Sequence, residues 1–374
     1  MLLYGSMSES EEPIPLDPEL FEVEGDETFR SYLLKGRETA TKELWFEPYG
    51  RSGIGRRFVI DIDSGENPDA YDCPTLFINI DPNYGYDLSP SDLIGWIELE
   101  VRGSQVDTIY QYQMEALMAL YRLTWTYEDQ CLVVPLPFDL FHGRNLFFSR
   151  GLEGDPRLRF EFLDHPYGTG LITSIRLRLG AINIYDDLEG LCNRQIEALM
   201  SFPCYSDSGL NYGSISARNQ EGIPSLMYKT QFYGADWVPC EGRFRIRFNI
   251  NHTASCLYFF FADDHGRIMT DPVFGHLRLW LDDQIYHDAD YDSLSLSNKG
   301  QELCGMDGLY WLSLTDQHPL IYDPEAIDLC MVDYLCLDFD YALASCKLNL
   351  HYFVGTHYIF MYCPDGSVRL SRPY

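Results

Sequence analysis

Apolar and polar residues alternate in stretch after stretch of this chain, and the alternation predicts strands. Phe58, Ile60 and Ile62 alternate with Val59, Asp61 and Asp63; Leu158, Phe160 and Phe162 with Arg159 and Glu161; Ile175, Leu177 and Leu179 with Arg176 and Arg178. Later, Phe244, Ile246, Phe248 and Ile250 alternate with Arg243, Arg245, Arg247 and Asn249, and Leu335, Leu337, Phe339 and Tyr341 with Cys336, Asp338 and Asp340. A period of two sends one set of side chains into a core and the other outward, the pattern of antiparallel sheet. Turn clusters such as Asp81-Pro82-Asn83-Tyr84-Gly85 and Cys363-Pro364-Asp365-Gly366 separate the strands.

Helical spacing is rare. Over residues 110–122, Met114, Leu117, Met118 and Tyr121 form one stripe at i, i+3, i+4 and i+7. A second helix is expected over 187–200, with Asp186 or Asp187 as N-cap and Leu188, Leu191, Cys192 and Leu199 on one face. Both read as lids on the ends of β-sandwiches.

The strand pattern is stated twice. Ile97 to Val101, the turn Gly103 to Val106 and Val133 to Pro137 find counterparts in Leu277 to Leu281, Asp283 to Ile285 and Leu309 to Leu314. By subtraction, Leu99 to Leu279 is 180, Gln105 to Gln284 is 179, Val134 to Leu312 is 178 and Phe160 to Phe339 is 179. A shift near half the chain predicts two consecutive copies of one β-domain of about eight short strands, as sandwiches, jelly rolls or barrels. The expected layout is an acidic arm at 1–28, a first domain at 29–186, a helix and linker loop at 187–222 and a second domain at 223–374. The arm holds Pro13, Pro15 and Pro18 among Glu and Asp, too polar to offset its ordering entropy.

Length agrees with two domains: 374 residues at roughly 150 per domain, each large enough to bury about 70% of its unfolded surface. The 27 Tyr and 22 Phe favour pleated, half-buried surfaces. Net charge is −30, with 57 Asp and Glu against 27 Lys and Arg. Such a chain is repelled from phosphate backbones and anionic membranes, so its expected partners are proteins and not nucleic acid. The 11 Cys show no C-x2-C or C-x4-C spacing, which points to reduced, buried thiols and no zinc site. The opening residues lack the basic and apolar regions of a signal peptide, and no segment approaches 18 apolar residues, so no membrane span is expected.

Catalytic and metal motifs fail on inspection. Asp288-Ala289-Asp290-Tyr291-Asp292 begins like a calcium loop, but Ser293 stands where Gly is needed and Lys299 where a bidentate Glu is needed, so a solvated acidic loop is expected. Gly50-Arg51-Ser52-Gly53 lacks the last glycine of a nucleophile elbow, and Gly53-Ile54-Gly55 lacks the third glycine of a dinucleotide fingerprint. Asp263-Asp264-His265 offers an acid–base cluster but follows the strand Tyr258 to Phe261 as a turn does; His351 and His357 form the other histidine pair. The Arg243, Arg245, Arg247 ladder reads as an outer strand face turned to solvent or to an acidic neighbour. Asn251-His252-Thr253 matches a glycosylation site, idle without secretion. No catalytic, cofactor-binding or metal residue is assigned.

Four stretches, taken in order, carry a resemblance: Ile97 to Asp107, Leu132-Val133-Val134-Pro135-Leu136-Pro137-Phe138, Phe248-Asn249-Ile250-Asn251-His252, and Asp271-Pro272 leading into Leu277 to Leu281. They resemble the double jelly-roll major capsid proteins of nucleocytoplasmic large DNA viruses, over about residues 40–374. The resemblance implies an all-β fold of two consecutive eight-stranded antiparallel jelly rolls with a few short helices in loops. It implies a non-enzymatic virion capsid subunit without cofactors, forming homotrimeric pseudo-hexagonal capsomers of an icosahedral shell. Its partners are then itself, neighbouring capsomers and minor capsid or cement proteins, assembled in host cytoplasm, with an internal viral membrane as a neighbour that is not spanned. Pro135 and Pro137, which cannot donate to a ladder, are expected at a sheet edge or strand start. The chain departs from the family where Cys330-Met331-Val332-Asp333-Tyr334 replaces the usual Ser-Arg-Ile-Asp and where the tower loops are short. Two rivals remain at this point. One is a jelly-roll carbohydrate-binding or host-attachment protein stacking sugars on Trp96, Trp237 or Trp280, and the other a β-sandwich hydrolase using Asp263, Asp264 or His265.

Overall fold

The computed structural model describes residues 37–48, 57–62, 68–83, 88–142, 146–148, 156–163, 171–200, 203–206, 211–214, 225–238, 241–248, 253–263, 268–270, 274–294, 308–315, 327–342, 348–362 and 368–373. The expected arm at 1–28, the glycine loops at 50–55, Asp264-His265, Asn251-His252 and the turn at 363–366 lie outside the described residues.

Strands β1 (Thr39–Phe46), β2 (Arg57–Asp61), β3 (Ala70–Ile80), β4 (Ile94–Val101), β5 (Ser104–Tyr110), β6 (Thr126–Glu128), β7 (Cys131–Pro135), β8 (Phe147–Phe148), β9 (Pro156–Phe162) and β10 (Ile172–Ile184) build the first half. Short helices α1 (Pro90–Leu93), α2 (Gln111–Leu120), α3 (Asp139–His142) and α4 (Leu188–Met200) punctuate the chain. The second half holds β11 (Pro203–Ser206), β12 (Asn211–Ser214), β13 (Ser225–Val238), β14 (Glu241–Phe248), β15 (Thr253–Ala254), β16 (Cys256–Ala262), β17 (Phe274–Leu281), β18 (Gln284–Asp290), β19 (Leu309–Ser313), β20 (Ile327–Asp328), β21 (Leu335–Ala342), β22 (Leu348–Tyr362) and β23 (Val368–Pro373).

Sheet order reveals the duplication. In the first half β1-β10-β3-β7 face β2-β9-β4-β5; in the second, β13-β22-β16-β19 face β14-β21-β17-β18. Every ladder is antiparallel, and matching strands enter in the same chain order. Register repeats as well: Leu99 lies opposite Leu158 as Leu279 lies opposite Leu337, and Leu76 opposite Val134 as Leu257 opposite Leu312. The hairpins β4–β5 and β17–β18 turn through two residues, starting at Arg102 (φ 50) and Asp282 (φ 52), the positive φ that matches strand twist. Each hairpin then carries an irregularity in the same place, after Leu99 and after Leu279. These are two consecutive jelly rolls, each with eight common strands among the described residues.

Two apolar clusters fill them. The second half has its own core, with Leu257, Phe259, Phe261, Leu277, Leu337 and Phe339. The interior of the first half merges with a seam to which the second half contributes Tyr258, Phe260, Trp311, Phe353 and Phe360. Strand β16 is therefore buried on both faces, all seven residues of Cys-Leu-Tyr-Phe-Phe-Phe-Ala, and it reads as an unbroken apolar run because neither face meets water. Tyr258 stacks on Phe353 at 4.9 Å and Tyr310 on Phe259 at 5.3 Å, one pair on each face.

Three sequence expectations need correction. Helix α2 is no lid: Met114, Leu117 and Met118 are buried in the seam cluster, and fully buried Gln113 donates from Nε2 to Thr230 of the second half at 3.2 Å. The stretch at 206–222 is not all loop, since β12 pairs with β11 there. Asp288 to Asp292 is not a loop either: the first three residues finish β18 and a helical turn starts at Tyr291. Pro135 fits its place, because Leu136 N donates to Pro74 O, so the proline nitrogen one residue earlier points away from β3, beyond the end of β6.

A buried carboxylate pins the seam. Asp139 in α3 accepts from the backbone N–H of Tyr228 at 2.6 Å and from the Tyr121 hydroxyl at 2.9 Å. Asp139→Ala strands both donors in a dry site, so chemical denaturation should show a loss of about 3 kcal/mol, with Asp139→Asn recovering part of it.

Candidate functional site

Among the described residues, those singled out for chemistry do not converge. Asp263 sits half-buried at the end of β16. His351 and His357, six apart on β22, lie on its seam face as core residues: His351 stacks on Phe260 at 4.9 Å and 8°, and His357 stands edge-on to Tyr228 at 5.0 Å. Burial pulls the His351 imidazole down to about 4, so it is neutral at pH 7. Among the described residues no three His, Cys, Asp or Glu side chains come together as metal ligands, and no helix is long and apolar enough to cross a membrane.

The Arg ladder has an acidic neighbour, β21. Arg243 pairs with Asp340 at 2.8 Å and Arg245 with Asp338 at 2.7 Å, while Arg247 donates to the Asp333 carbonyl at 2.8 Å. The same device covers the matching face of the first half. There Arg157 meets Asp61 at 2.6 Å, Arg159 pairs with Glu100, and Arg57 meets Glu161 at 2.9 Å. Arg243–Asp340, exposed on both sides, is worth about 0–1 kcal/mol, whereas Glu100 is buried beneath its arginine. Among the described residues these pairs set a carboxylate against most of the guanidinium groups on these two outer faces, while Arg247 meets a carbonyl instead.

The tryptophans named as sugar platforms are occupied. Trp96 is half-buried and donates from Nε1 to Glu161 at 3.0 Å. Trp280 is half-buried with the Arg245 guanidinium 5.9 Å from its ring; the Trp237 side chain lies outside the described residues.

Sequence reading missed the exposed aromatics. Trp45 on β1 is 46% exposed, 5.0 Å from Phe77 of β3, with Arg176 over Trp45 at 5.2 Å and Arg178 over Phe77 at 5.4 Å. On β18, Ile285 and Tyr286 are 45% and 41% exposed. Large apolar side chains left in water mark contact surfaces more often than catalytic ones. The available signal was Trp45 itself, which alternates with buried Leu44 and Phe46 and must point outward.

No model of a known protein family matches the chain, and no curated protein does. Solved structures match over nearly its whole length. The PBCV-1 virus capsid superposes with a TM-score of 0.63 at 14% identity, covering 89% of this chain and 97% of that one. The Faustovirus major capsid protein gives 0.61 at 6% identity over 87% and 91%. The STIV MCP gives 0.55 at 13% identity over 85% and 96%. The fold is the double jelly roll of viral major capsid proteins. At identities this low the likeness is one of fold, and within the chain the fold repeats in strand order and register.

Proposed function

We propose that this chain is a structural subunit of an icosahedral virus shell, with three copies forming a pseudo-hexagonal capsomer. The observation that carries the reading is the repeated sheet order and register. Two near-identical jelly rolls in each of three chains present six near-equivalent corners, and a six-cornered tile packs a surface without gaps. Residues 29–186 and 223–374 supply the tiles, 187–222 joins them, and the acidic arm at 1–28 is available to a neighbour or a minor capsid protein. No residue has a catalytic role and no cofactor is required. The excess of acidic groups keeps the shell from sticking to its own genome, and the reduced thiols of Cys73, Cys131, Cys192, Cys256 and Cys336 suit assembly in the reducing host cytoplasm.

Mass measurement on purified protein, with negative-stain imaging, tests this. The expected mass is three times the 43.3 kDa of one chain, with a six-cornered outline. A stable monomer at micromolar concentration would overturn the reading.

A further inference from the structure

We infer that the outer face of the β1-β10-β3-β7 sheet of one chain is covered by strand β18 of a second copy, with Trp45 and Tyr286 at the centre of the contact. The inference deepens the trimer reading above and rests on it. Its template is the seam inside a single chain, where the outer face of β13-β22-β16-β19 is covered by the β5 and α2 region of the first half. There Lys229 Nζ donates to the Val106 carbonyl at 2.9 Å and Gln113 to Thr230 at 3.2 Å.

Register transfers that seam to the bare surfaces. Leu76 and Leu257 occupy matching core positions, opposite Leu177 and Val354 respectively. One residue along, Phe77 stands where Tyr258 stands, opposite Arg176 and Phe353. Trp45 lies opposite Arg178 as Thr230 lies opposite Gly355, so Trp45 holds the place of Thr230. Thr230 is 5% exposed under the first half, whereas Trp45 is 46% exposed.

The covering strand corresponds equally well. In β4–β5, Leu99 faces Asp107 and Glu100 faces Gln105, leaving Val106 in the irregularity; in β17–β18, Leu279 faces His287 and Trp280 faces Ile285, leaving Tyr286 there. Val106 is 0% exposed beneath the second half, whereas Tyr286 is 41% exposed. Each of the two surfaces is thus the exposed twin of one buried in the seam, and each matches the other as the two sides of the seam do. They also differ in charge: Arg176 lies over Trp45, with Arg178 beside Phe77 paired to Glu43 at 3.3 Å, while exposed Asp283 and Asp290 flank Tyr286, with Asp288 paired to Arg278 at 3.3 Å. Joining the second half of one chain to the first half of the next repeats the step within the chain, a head-to-tail contact that closes on itself.

Photocrosslinking the full chain tests this. Trp45→p-benzoylphenylalanine, in a mixture of isotopically light and heavy chains, should give crosslinked peptides that join position 45 to residues 282–294 of another chain. Tyr286→Asp should shift the mass from trimer to monomer with the fold retained by circular dichroism, while Met331→Asp, on a residue 82% exposed outside β18, leaves the trimer intact. A trimer whose crosslinks from position 45 map to other segments overturns this contact and leaves the proposed function standing. A wild-type monomer overturns both.

Discussion

Tyr258→Ala is expected to lower stability by about 3–5 kcal/mol and to split a single calorimetric unfolding transition in two. Tyr258 is 1% exposed, stacks on Phe353 at 4.9 Å and shares a 3.0 Å hydroxyl contact with Tyr228. These contacts lie on the seam face of β16, so the lost side chain loosens the junction of the two halves. Phe259→Ala is the internal comparison. It removes a ring of similar size one residue away, from the private core of the second half, where Tyr310 lies at 5.3 Å and Phe274 at 6.3 Å. A comparable loss is expected there, without separation of the two halves. If both variants melt in one transition with the wild-type profile, the seam does not couple the halves.

The second large effect concerns pH. Burial pushes the Asp107 carboxyl up to about 6, against the pull of Lys229 and the Thr108 N–H. Its folded form holds a proton more tightly than the unfolded chain, so its contribution to stability is present below about pH 4 and is lost as pH rises through about 6. His351 acts in the opposite sense. Its folded pKa, near 4, lies below the ordinary 6.5, so its contribution is present above about 6.5 and lost as pH falls through about 4. Displacements of about two units correspond to roughly 3 kcal/mol at most for each group. In the wild type the two slopes oppose each other across the same window. Asp107→Asn should therefore raise stability at pH 7 and leave a profile that climbs from pH 4 to 6.5. His351→Phe, which keeps a ring against Phe260, should leave a profile that falls over that range. Denaturation curves at a series of pH values check both signs, and parallel profiles in the two variants would refute the assignment.

Much of this architecture was legible because alternation is a one-residue rule. Leu158, Phe160 and Phe162 announce β9 with no knowledge of what lies opposite, and the constant shift from Leu99 to Leu279 announces the second copy. What could not be read was which outer faces meet water. Phe77 and Tyr258 occupy matching positions with similar side chains, yet one is half-buried at the surface and the other sealed in the seam. That difference arises from how the halves dock, which no local pattern encodes. For the same reason α2 passed for a lid: its apolar stripe says that something covers it, not that the cover is the other half. Asp288 to Asp292 misled differently, because closely spaced carboxylates read as a solvated loop until their ladder partners Arg278 and His276 are known.

On the proposed assembly, the seam within the chain and the contact between chains meet different demands. The Tyr258, Phe260 and Trp311 surface is tethered to its cover from synthesis onward, at an effective concentration no free partner reaches, and can be largely apolar. The Trp45 surface has to wait in water, and there guanidinium groups overlie the rings at 5.2 and 5.4 Å. On that reading, fusing two tiles into one polypeptide reduces the apolar area that a newly made chain leaves in water.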